Sequence, residues 1–152
     1  MIFDSHTFDN LARSLAAHLA ATLGPTDGQH VAPGRRAGLV TSRPAVGIAW
    51  TRWVPSRTQW RETRPDVTLR IYCYTEKHAD EQDDHREEGR FHLAVLTALT
   101  DQGTVPCFDY RQDPPSPIGD VRLDWVGGEN PPEAQSRSRS ETHFDVIARF
   151  DT

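Results

Sequence analysis

Cysteine is scarce in this chain of 152 residues: Cys73 and Cys107 are too few for a disulfide framework and show no metal-ligand spacing. Both are expected as buried thiols. Long apolar runs are missing too, and no stretch approaches the roughly 20 residues of a membrane span. The opening MIFDSHTFDN has no basic segment leading into an apolar one, so the expectation is a protein made and kept, or assembled, in the cytoplasm. Apolar residues make up only 36%, while Gly and Pro contribute 10 and 11 residues. That balance predicts one modest core with long irregular loops, and a chain much of which needs a partner to become ordered.

Catalytic signatures are equally thin. There is no Gly-x-Ser-x-Gly elbow, no Walker-type phosphate loop and no His-Glu-x-x-His pattern. Gly127-Gly128 runs into Glu129-Asn130-Pro131 and not into a helix start, which excludes a dinucleotide fingerprint. His78, His85 and His92 lie among many carboxylates but are spaced by seven residues. Two helical turns set such imidazoles roughly 10 Å apart, too far to share one ion. No catalytic site, cofactor or metal is therefore expected.

What the chain has is charge polarity. Residues 31–70 hold eight arginines against two acids, and residues 71–101 hold eight acids against three bases. A nucleic-acid binder would be basic overall, whereas this chain carries a net charge of −5, so the blocks suit head-to-tail contact between identical copies better. The expected interface residues are Arg35, Arg36, Arg43, Arg57, Arg61 and Arg64 on the basic side. On the acidic side they are Glu76, Asp80, Glu81, Asp83, Asp84 and Glu87, with Arg137 and Arg139 in a Ser-Arg tract. Trp50, Trp53 and Trp60 interleave with the arginines, which leaves base stacking as a competing reading of the same segment.

Periodicity places the elements. Phe8, Leu11, Ala12, Leu15, Leu19 and Leu23 predict an amphipathic helix, with Thr7 as N-cap and Gly24-Pro25 as its stop. Strands are expected from Ala45 to before Pro55, over Val67–Tyr74, and at about 105–111, 118–126 and 141–150. A second helix, capped by Asp84 and ended by Gly103, carries Phe91, Ala94, Val95, Ala98 and Leu99 on one face. Residues 24–44, 54–66 and 127–140 read as long loops or arms. The sum is one α+β domain over 1–152: a mostly antiparallel sheet of about five strands with both helices packed on one face. Tyr72, Tyr74 and Arg70 point from the other face, either toward another subunit or simply as good strand formers on a wet surface.

This layout resembles the tail terminator and tail-completion (neck) proteins of long-tailed bacteriophages. The likeness covers most of the chain: an N-terminal amphipathic helix, a long loop, the strand VTLRIYCY, the helix EEGRFHLAVLTALT and the closing SETHFDVIARF. It implies a structural virion protein of the tail or neck. Such a protein forms a six-fold ring of identical copies that ends tail-tube polymerisation and joins the tail to the head connector. Its partners would be itself, the major tail tube protein and the connector, with no membrane, and with nucleic acid only as DNA passing through the lumen. The alternatives are a head completion or neck connector protein, and a nucleic-acid-binding module built on the Arg/Trp segment.

Overall fold

The computed structural model describes residues 4–35, 44–55, 65–76, 79–131 and 139–150. The order is α1 (Ser5–Asp27), β1 (His30–Pro33), β2 (Ala45–Pro55), β3 (Pro65–Glu76), α2 (Glu81–Thr100), β4 (Thr104–Asp109), β5 (Ser116–Glu129) and β6 (Arg139–Phe150). The strands form one curled sheet, a half-barrel, in the order β1-β2-β3-β6-β5-β4. The α+β class is as expected, but the sheet has six strands and is mixed. β1 pairs parallel with β2, and every other pairing is antiparallel. The sequence pattern hides β1 because His30-Val31-Ala32-Pro33 is too short to alternate and ends in proline.

Alternation decides which side of the sheet is dry. Val67, Leu69, Ile71 and Cys73 of β3 join Phe144, Val146 and Ala148 of β6 on the concave face. Leu11, Leu15 and Leu19 of α1 and Phe91, Val95 and Leu99 of α2 fill that face, so both helices pack on the same side. Asp4, not Thr7, is the N-cap of α1; Thr7 returns the bond as the third residue of a capping box. Gly24 has φ 84°, a left-handed value that kinks the helix and leaves one further turn to Asp27.

α1 lies across the mouth of the half-barrel and touches both edge strands, β1 and β4. Its polar face completes the β4 edge. Ser14 Oγ accepts from Phe108 N at 3.0 Å and Asn10 Oδ1 accepts from Tyr110 N at 3.0 Å, so outward backbone donors of this edge end on side chains of α1. Asp109, beside them, holds Arg111 at 2.9 Å and receives Asn10 Nδ2 at 3.5 Å. Those donors push its carboxyl down to about 2, so it stays ionised. Arg111 also reaches Asp4 at 3.5 Å, which ties the start of α1 to the same corner.

The convex face is not uniformly wet. Tyr72 and Tyr74 point outward yet are buried with Ala45. The backbone at Gly34 crosses Gly47, where a Cβ would collide with the Gly34 carbonyl, and Tyr74 donates to the carbonyl of Arg35 at 2.8 Å. Arg70 is held by both oxygens of Asp145, at 2.9 and 3.2 Å, and Arg149 lies between Asp66 and Asp124. Ser14→Ala orphans the Phe108 N–H, and the expected result is a loss of about 1–3 kcal/mol in unfolding free energy, read by urea denaturation.

Candidate functional site

The most elaborated surface lies where α2 begins. Asp80 is the N-cap and accepts from Gln82 N at 2.8 Å and Asp83 N at 3.3 Å. The cap therefore falls four residues before the expected Asp84. The displacement turns Asp84 inward, where it is buried and accepts from Ser140 Oγ at 3.3 Å. One helical turn on, Glu88 is buried as well, at 7% exposure, and accepts from Asn130 Nδ2 at 2.6 Å. His85 Nδ1 stands 3.9 Å from the same carboxylate. The acids of α2 thus divide into the exposed Glu81 and Asp83, the half-buried Glu87, and an inner pair, Asp84 and Glu88.

Glu88 and His92 open onto a cleft of about 340 Å³ bounded by Trp125, Gly128 and Glu129 of β5 and Thr142 of β6. His92 Nδ1 and Thr142 Oγ1 are hydrogen-bonded at 2.9 Å, and the ring meets Phe144 edge-on. β5 passes so close that a Cβ on Gly128 would stand 3.0 Å from the imidazole and 2.9 Å from the His143 carbonyl, which is why glycine is required there. A register shift between Trp125 and Gly127 lets the strand turn Trp125 toward the cleft, where it stays 59% exposed. Across the strand, His143 Nε2 lies 3.4 Å from Glu129 Oε2 and its ring faces Tyr72.

Neither cysteine lines the cleft. Cys73 sits beneath Thr142, and burial pushes its thiol up to about 12 despite a hydrogen bond from that hydroxyl. Burial also raises Cys107. Among the described residues, no three His, Cys, Asp or Glu side chains gather to hold a metal ion. His85 and His92 do face one cleft, while His78 lies outside the described residues. No helix among the described residues is long and apolar enough to cross a membrane.

The predicted interface residues scatter. Glu81 and Asp83 are exposed, and Glu87 pairs with Arg90, which also clasps Asp27 at 3.0 and 3.1 Å. Glu76 ends β3 and is paired in register with Arg139. Arg35 sits on the convex face beside Tyr74, away from Arg52 at the far end of β2, so the basic block is not one patch. Arg36, Arg43, Arg57, Arg61, Arg64 and Arg137 lie outside the described residues, as does Trp60. Trp50 stacks on Phe8 with centroids 4.2 Å apart, and Trp53 and Val54, on opposite faces of β2, are both exposed. The cleft itself escaped sequence reasoning because Glu88, Trp125, Asn130 and Thr142 come from distant segments. The one hint was Gly127-Gly128, a pair that breaks an otherwise good strand. No protein-family model and no curated protein matches the chain.

Burial and the nearby His143 hold His92 below the ordinary imidazole value. The unfolded chain therefore binds that proton more readily. Stability is unaffected above about pH 6.5, the unfolded value, and declines as pH drops below it. The urea midpoint is expected to fall between about pH 7.5 and about pH 5 by more in the native protein than in His92→Gln. In the folded protein both thiols should resist a disulfide-exchange reagent at neutral pH and react only on unfolding. Rapid native labelling would contradict their placement.

Proposed function

We propose that this chain is a structural virion protein of a long-tailed phage. Its copies close into a ring, six-fold by the family likeness, at the head-proximal end of the tail. There the ring ends tube polymerisation and joins the tail to the head connector. In this role the chain catalyses nothing and works through its surfaces.

The observation that carries the reading is the length of β3. Pro65 pairs with Pro55 at one end of the strand, and Glu76 leads toward the capped acidic start of α2 at the other. At about 3.3 Å per residue the two ends stand roughly 36 Å apart. The sequence joining Pro55 to Pro65 carries Arg57, Arg61 and Arg64 and leaves the described structure beside the exposed Arg52 and Trp53. We read the end with Arg52, Trp53 and the arginine-bearing sequence 56–64, and the end with Glu76, Glu81 and Asp83, as the two contact surfaces of each copy. A ring needs such a pair of different surfaces, meeting head to tail and closing by rotation.

The state of the sheet edge supports the same reading. α1 side chains occupy the backbone donors of Phe108 in β4 and of Tyr110 just beyond it, which disfavours growth by strand addition at that edge. Native mass spectrometry, with and without purified tail tubes, is expected to show closed rings of identical subunits that dissociate as salt rises. A monomer under every condition, tubes included, would overturn the proposal.

A further inference from the structure

We propose that the cleft between α2 and strands β5 and β6 is a socket for an arginine side chain of a second copy of this chain, supplied by the segment that carries Arg57, Arg61 and Arg64. The inference rests on the head-to-tail assembly above and names the contact that would make it.

Two features of the cleft select a planar cation. Glu88 is a carboxylate buried to 7% exposure whose partners are the Asn130 amide, a neutral donor, and His85 at 3.9 Å. Among the described residues the partners of this buried carboxylate are thus an amide and an imidazole, and a guanidinium would add two parallel N–H donors. Glu129 is not part of this set, because its carboxylate turns to His143 on the opposite face of the sheet. Trp125 supplies the second feature, an indole on the cleft wall that is more than half exposed although it belongs to an otherwise buried strand face. Indole beside carboxylate is a setting in which arginine stacks and pairs at once, and lysine does so less well.

The volume of about 340 Å³ falls at the lower end of the range for small-ligand pockets, roughly 300–1,000 Å³, and suits one side chain. Charge complementarity identifies the donor. The cleft shares the acidic end of β3 through Thr142, which pairs with Cys73, whereas the arginine segment leaves the structure beside Pro65 at the opposite end. Each copy would thus place its arginines in the socket of the next.

The test uses the full-length protein and a fluorescently labelled peptide of residues 56–64 in an anisotropy titration at low salt. The native protein should bind the peptide, and replacing its three arginines with glutamine should abolish binding. Trp125→Ala, at an exposed position, and Glu88→Gln, which keeps an acceptor for Asn130, should each weaken binding tenfold or more. Absence of binding, equal binding by Trp125→Ala, or equally tight binding of free arginine amide would each overturn the socket. Native mass spectrometry of the same proteins separates the two proposals. Rings without peptide binding leave the ring and remove the socket. Specific peptide binding without rings on any tube keeps the socket and removes the ring.

Discussion

The fold depends on α1 lying across both edges of a curled sheet. A six-stranded half-barrel has two open edges, and a concave apolar face cannot stay in water. Leu11, Leu15 and Leu19 fill the concavity from one side of the helix. Ser14 takes up the backbone donor of Phe108 in β4 and Asn10 that of Tyr110 just beyond it, and Asn10 and Asp4 join Asp109 and Arg111 at the corner. One helix therefore supplies both the apolar plug and the polar seal. α2 completes the plug over β3, β6 and β5, and His18 of α1 bonds the Ala98 carbonyl at 3.0 Å where the helices meet.

Sealing the β4 edge has a consequence for how the molecule meets others. Among the described residues, exposed features include Trp53 and Val54 at the end of β2 and an acidic helix start with its cleft, while Arg70 and Arg149 on the convex face are already paired. Trp53 and the cleft lie toward opposite ends of β3.

Periodicity made the large elements legible. The period-two run Val67, Leu69, Ile71, Cys73 and the helical spacing of Leu11, Leu15 and Leu19 specify both element type and buried face, because each repeat matches one backbone geometry. Three features were illegible for physical reasons. β1 is stabilised by its parallel neighbour and by α1, not by its own four residues. The cap of α2 shifted because Asp80, Asp83 and Asp84 are all good caps, and only burial against Ser140 chooses among them. Tyr72 and Tyr74 were expected to point outward, and they do, but their burial depends on chain crossing at Gly34 and Arg35, a contact no local pattern encodes. The cleft was hidden for the same reason, since its walls come from α2, β5 and β6.

The measurement that bears most directly on head-to-tail assembly is a mixing experiment, followed by sedimentation velocity and native mass spectrometry. One protein carries Glu81→Gln, Asp83→Asn and Glu129→Gln; the other carries Arg57→Gln, Arg61→Gln and Arg64→Gln. Each alone should remain monomeric. Mixed, they should form a one-to-one pair that grows no further, because each copy keeps only one working end. Full rings from either variant alone, or from the mixture, would contradict the assignment of these two ends as the contacting surfaces.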